Sequence, residues 1–274
     1  MELSYSEFLA RKQLLTPKLG LEYVPELNPA LKGFQSYCCR EALVRGACAL
    51  FLELILTPLA VAQQFVREGA KLGISVLHAR TMVGGLRDGA IYVSNYESLH
   101  HWLPYIEQLG GVVLDESSIL KAFDGKTRTM LIETFRETQF RLCCTATPSP
   151  NDTTELGNHA EFLGVMRRID MLNRFFEHDG GDTSTWVLKG HARKHFWRWV
   201  ASWAICARKP SDLGFPDDGY DLPELSMHEH LVDIDAGLSR QAGLLFGFEA
   251  ATLTEQRSVR KSSLAERVAR AAEL

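Results

Sequence analysis

Two short stretches carry residue types suited to phosphate chemistry. The apolar run Val112-Val113-Leu114 ends in the acidic pair Asp115-Glu116, and the run from Phe140 to Cys144 ends in Thr145-Ala146-Thr147-Pro148. A strand buried on both faces of a parallel sheet reads as a continuous apolar run, and open α/β sheets bind ligands beyond the C-terminal ends of such strands. A carboxylate pair there can hold a divalent cation and orient a water for attack. Two strands ending side by side, one acidic and one hydroxyl-bearing, point to a nucleotide-hydrolysing α/β sheet. A simpler reading competes with it: acidic residues suit a helix's first turn, so Asp115-Glu116 can merely start one.

The elements that must position these residues follow from periodicity. Residues 31–46 place Phe34, Tyr37, Cys38, Ala42 and Leu43 at helical spacing and stop at Gly46. The run from Ala47 to Thr57 reads as buried strand, and Val61, Phe65 and Ala70 continue as a helix closed by Gly73. Residues 74–78 and 90–94 are short strands, 99–109 and 127–136 are helical, and the latter turns Met130, Leu131 and Phe135 inward. Short apolar strands alternating with helices argue for a doubly wound parallel sheet. Beyond Pro148 the pattern changes to helical pieces and turns broken at Gly180-Gly181. A helix over 191–208 carries Phe196, Trp199, Val200 and Trp203 on one face, and 231–274 is mostly helical.

The chain has 274 residues, 46% hydrophobic and 23% charged, enough to bury a full core. A net charge of −4 gives no global bias toward nucleic acid, so any such contact needs a local basic patch. Lys121, Lys126 and Arg128, just past the acidic pair, form the best one. The six cysteines follow neither C-x-x-C metal spacing nor a disulfide framework, which indicates a reducing, cytoplasmic setting. The N-terminus lacks the apolar core of a signal peptide, and the longest apolar run is interrupted by Glu53 and Pro58.

In this order the motifs resemble those of superfamily-two, Swi/Snf-related DNA helicases and translocases of the phage type. Phe34-Gln35 resembles the glutamine element that reads adenine, so Gln35 is the implied nucleotide contact. Leu56-Thr57-Pro58 and Ser94-Asn95-Tyr96-Glu97 resemble two DNA-contacting motifs, implying contacts from Thr57, Pro58, Asn95 and Tyr96. Asp115-Glu116-Ser117-Ser118 resembles the DExx (Walker B) box, and Thr145-Ala146-Thr147-Pro148 resembles the motif coupling ATP state to DNA. The resemblance implies Asp115 as the Mg²⁺ residue, Glu116 as the residue activating the attacking water, and ATP and Mg²⁺ as cofactors. It further implies double-stranded DNA as partner, a second helicase domain encoded separately, and location in the cytoplasm of a bacterium or phage-infected host. The implied architecture is a RecA-like doubly wound sheet with one strand slot missing, followed by a mainly helical appendage. Its parts are an N-terminal arm over 1–30, the RecA-like domain over 31–165, a helical insertion over 166–226 and a helical lead-in to a second domain over 227–274.

One departure is large. Helicases of this kind need G-x-x-x-x-G-K-[ST] to cradle the phosphates, and no such stretch occurs in these residues. Gly125-Lys126-Thr127 is superficially similar, but it follows the acidic box instead of preceding it. In the family, Ala47 to Leu52 would feed the phosphate loop and Leu54 to Thr57 would be the next parallel strand, yet here they abut. Parallel neighbours need a crossover of about a dozen residues, so both cannot keep their family positions. One fused segment from Ala47 to Thr57 filling a single slot is the simplest outcome. Arg257, Arg260, Arg267 and Arg270 lie in a helical stretch without the strand context of arginine fingers. The expectation is a helicase-type chain that is truncated and inactive alone, or a remnant that only binds DNA or a partner. His191 and His195 share a helical face without a zincin glutamate, and the tryptophans at 186, 197, 199 and 203 can stack bases or fill a core.

Overall fold

The computed structural model describes residues 20–45, 53–81, 85–87, 89–179, 182–220, 223–232 and 252–273. Contacts divide the chain into two units, Met1–Tyr220 and Asp221–Leu274. In the first, β1 (Glu53–Thr57), β2 (Val76–His78), β3 (Ile91–Asn95), β4 (Gly111–Asp115) and β5 (Phe140–Cys144) form an all-parallel sheet in the order β2-β3-β1-β4-β5. The expected α/β class with a parallel sheet is therefore present. The part of the fused segment that is described, β1, occupies the centre of the sheet; Ala47 to Leu52 lie outside the described residues.

Both sheet faces are covered, which is why the strands read as unbroken apolar runs. Successive strand residues point to opposite faces. Ile55, Val93 and Val113 meet Ala62, Phe65 and Val66 of α2 (Ala62–Lys71) on one side. Leu54, Leu56, Tyr92, Val112 and Leu114 form the larger core on the other. That core takes Leu131 from α3 (Lys126–Thr134), Phe162 from α4 (Leu156–Phe162), and Leu99, Trp102 and Phe135. Fully burying each such large side chain contributes about 1.5–3 kcal/mol. Gly69 lets α2 sit close to the sheet, because a Cβ there would come within 2.6 Å of Val76 Cγ2 and 2.9 Å of the Ile74 carbonyl. Gly73, at φ 73°, ends the helix as expected.

Three expectations need correcting. The helix over 191–208 stops at Trp203, where Ala204 turns extended, and residues 204–209 are not helical. The helix over 99–109 is instead a pair of 3-10 segments, Tyr96–His101 and Leu103–Gln108. Pro104 opens the second, and without an N–H it cannot join a continuous α-helical ladder. The stretch after Pro148 holds an antiparallel hairpin as well as helices. β6 (Phe176–Asp179) pairs with β7 (Asp182–Leu188) across Gly180-Gly181, whose own placement lies outside the described residues.

The hairpin rests on an aromatic cluster. α5 (Arg168–Phe175) and α6 (Arg193–Trp203) contribute Met171, Leu172, Phe175, Phe196, Trp199 and Val200 to it. Phe196 and Trp199 are buried, as core packing requires, whereas Trp197 is exposed. α1 (Gly33–Arg45) ties to the end of this cluster through Arg45, which donates to the carbonyls of Ala201 and Ala204 at 3.0 Å each. In the second unit, α7 (Leu253–Ser262) and α8 (Leu264–Glu273) are helical and residues 223–232 have no regular structure. No described helix is long and apolar enough to cross a membrane.

Candidate functional site

Strand order locates the site. From β1 the chain passes through α2 to β2 and β3 on one side; from β3 it crosses to β4 and β5 on the other. The direction of winding therefore reverses between β1 and β4. In open α/β sheets the crevice beyond the strand ends at such a reversal binds ligands. β1 ends in Thr57 and β4 ends in Asp115, so both termini meet at that point.

They are joined there directly. Thr57, fully buried, donates its hydroxyl hydrogen to Asp115 Oδ2 at 2.7 Å. Tyr96 donates its phenol to the Asp115 carbonyl at 2.6 Å, fixing the backbone at the same residue. Burial pushes the Tyr96 phenol well above its ordinary value, with Cys143 and Asp115 adding to the shift. It therefore acts as a donor throughout the usual pH range. Glu116 follows with φ 52° and ψ 50°, the one left-handed non-glycine residue among those described. That conformation costs about 1–2 kcal/mol, and it turns the chain off β4 into the 3-10 segment Ser117–Leu120 while leaving the Glu116 side chain exposed. The simpler reading of the acidic pair is thus partly realised: a short helical turn begins after Glu116.

Asp115 lies opposite Cys144 in the β4–β5 register, which brings Thr145, Ala146 and Thr147 beside the acidic pair. Thr145 Oγ1 accepts the Thr147 N–H at 3.1 Å, closing a tight hydroxyl turn at the strand end. Burial pushes the Cys143 thiol up. The Cys144 thiol, open on one side yet ringed by protein atoms, is pushed up to about 11 by burial and the neighbouring Asp115. Neither is a thiolate nucleophile at neutral pH.

Behind the acidic pair lies a contact that sequence reasoning missed. Ser117, fully buried, hydrogen-bonds His159 Nε2 of α4 at 3.2 Å. Neither residue has a local motif, because they are 42 positions apart. Burial holds the His159 imidazole below its ordinary value of 6.5, although Glu155 and Ser117 pull the other way. The folded state thus keeps His159 neutral where the unfolded chain binds a proton. Its share of stability is complete above pH 6.5 and is lost as pH falls below that toward the folded value. Urea unfolding followed from about pH 7 to about pH 5 should show a shallower loss of stability in His159→Gln than in the parent. Identical slopes would remove His159 from this account.

The remaining sequence candidates are placed as follows. Gln35 Oε1 accepts the Lys32 N–H at 2.9 Å, the glutamine half of a capping box at the start of α1. Asn95 is buried, donating to Glu97 Oε2 at 2.6 Å and accepting from the Ser98 hydroxyl at 2.7 Å. Thr57, Asn95 and Tyr96 therefore spend their polar groups inside the protein, whereas Pro58 is half-buried and Leu59 is exposed. Lys121 and Lys126 are exposed, while Arg128 is largely buried and paired with Glu161.

The chain matches no protein-family model and no curated protein. Its chemistry rests on the residues themselves. Asp115 and Glu116 are suitable donors for one side of a Mg²⁺–nucleotide complex, but the described residues include no group of three His, Cys, Asp or Glu poised on a metal ion. One Asp115 oxygen is engaged by Thr57. The sequence also lacks the amide cradle and lysine that hold the phosphates. ATP and Mg²⁺ therefore do not fit the residues present as a complete site, and no hydrolytic step follows from them.

Proposed function

We propose that this chain is a RecA-like DNA-binding domain of the superfamily-two, Swi/Snf-related helicase kind, which binds double-stranded DNA and does not hydrolyse ATP by itself. The observation that carries the reading is the arrangement at the switch point. Thr57-Pro58, Asp115-Glu116 and Thr145-Ala146-Thr147 end three adjacent parallel strands, β1, β4 and β5. Three motifs distant in sequence thus meet where such a sheet places a ligand. The missing phosphate loop supports the inactive half of the reading, since phosphoryl transfer depends on positioning and neutralising the phosphates. A separately encoded second helicase domain is the partner this reading implies.

Phosphate release from Mg²⁺-ATP, measured on the purified chain with and without duplex DNA, tests it. The expected result is no DNA-stimulated release, together with DNA binding that weakens as salt rises. DNA-stimulated turnover that disappears in Glu116→Gln would overturn the claim of inactivity. No binding to DNA at low salt would overturn the reading as a whole.

A further inference from the structure

Just past the acidic pair, an aromatic ring stands on the surface with a guanidinium behind it. Phe123 is 58% exposed, and the Arg168 guanidinium carbon lies 4.7 Å from its ring centroid. The loop carrying Phe123 is held from beneath. The buried Asn158 donates to the carbonyls of Leu120 and Lys121, at 2.8 and 3.1 Å. The loop closes on itself through the Gly125 N–H to the Ala122 carbonyl at 3.1 Å. A large aromatic side chain held outward on a fixed loop has one face on Arg168 and leaves the other to solvent.

The charge around the ring is unevenly matched. Arg128 is paired with Glu161, which also accepts the Arg168 backbone N–H at 3.3 Å, and Arg167 is paired with Asp170. Arg168, Lys121 and Lys126 have no ion pair among the described residues, and the Nε atoms of Arg128 and Arg168 are buried without a hydrogen-bond partner. The nearby carboxylates are Asp124, exposed beside Phe123, the acidic pair Asp115-Glu116 a few positions before it, and Asp152, which acts on Arg168 while its side chain caps the Thr154 N–H at 2.6 Å. Burial and the neighbouring Arg128 both hold the Arg168 guanidinium below its ordinary value, consistent with two cations crowded around one carboxylate. An open aromatic face on a loop that also carries the exposed Lys121 and Lys126 matches the chemistry of a nucleobase joined to phosphates.

We propose that Phe123, backed by Arg168 and carried on the same loop as Lys121 and Lys126, is a stacking platform for a base of single-stranded nucleic acid. The base lies on the exposed face of Phe123, and the phosphates on either side lie against Lys121 and Lys126. Cation–π contact with Arg168 fixes the ring and enriches the stack. This platform rests on the nucleic-acid-binding part of the proposed function, but names a different strand state and a different surface from the switch-point crevice.

Fluorescence anisotropy with an end-labelled oligothymidine and with a DNA duplex, on the full chain, separates the two. Phe123→Ala should weaken oligothymidine binding about tenfold, the usual loss for one stacked base, with duplex binding and thermal unfolding unchanged. Phe123→Trp should restore binding, and its indole fluorescence should be quenched on addition of oligothymidine. The double substitution Lys121→Ala, Lys126→Ala should reduce the salt dependence of binding. Unchanged oligothymidine affinity in Phe123→Ala, with duplex still bound, would overturn the platform alone. An equal loss of affinity for a polyglutamate peptide would overturn it too, by marking a general anion or acidic-partner surface. Failure to bind either DNA would overturn both proposals.

Discussion

Phe196→Ala is expected to lower the stability of the chain by about 3–5 kcal/mol, the range for removing a large aromatic side chain from a packed core. Phe196 is fully buried, and its ring meets Phe175 at 5.5 Å and Phe176 at 5.4 Å, both edge-on. Trp199 lies 5.9 Å away. The buried partners Phe175, Phe176 and Trp199 are fixed in the packed cluster and cannot all move into the space left by one ring, so most of the cavity should persist. The urea midpoint should fall with little change in slope. Amide exchange should quicken first at the pairs Glu177–Val187 and His178–Trp186 of the hairpin, because Phe176 anchors that hairpin to the cluster. A loss below about 1 kcal/mol would mean the cluster collapses freely and is not the seat of the hairpin.

Thr57→Val is expected to cost about 1–2 kcal/mol, the range for a hydrogen bond to a charged group reduced by the partial exposure of its acceptor. The substitution keeps the shape of a fully buried side chain, so packing is unchanged and the effect reports the hydroxyl contact with Asp115. Thr57→Ser, which keeps the donor and removes a methyl, should be limited by the methyl's burial alone. A double-mutant cycle with Asp115→Leu isolates the pair, and a coupling near zero would show that Thr57 does not hold the carboxylate. The result bears on function as well as stability. Thr57 lies where a DNA-contacting residue is expected from resemblance, yet its hydroxyl is turned inward to orient the acidic residue of the neighbouring strand.

The strands that hold the site were legible because their signals are local. Val112-Val113-Leu114 and Phe140 to Cys144 are apolar runs with no polar interruption except Arg141, and both are strands ending where expected. Arg141 is tolerated because β5 is an edge of the described sheet, and its guanidinium donates to the Arg136 carbonyl at 3.1 Å. Phe196, Trp199 and Val200 were likewise readable as an inward stripe from helical spacing. The hairpin was harder to see because β6 is short and most residues of both strands are polar, and its stability comes from the aromatic cluster beneath it.

From sequence alone came the residue types of the site: a carboxylate pair, a hydroxyl-bearing strand end, and the lack of a phosphate-binding glycine loop. Periodicity and composition report what one segment prefers, and these are properties of single segments. The tertiary structure decided which ends become neighbours. Strand order brings Thr57 to Asp115 across 58 positions and Ser117 to His159 across 42. It also turns Asn95 and Tyr96 inward and stands Phe123 outward on Arg168. No local pattern encodes such pairings, because they arise only when crossovers set the order of strands and burial brings distant polar groups within hydrogen-bond reach.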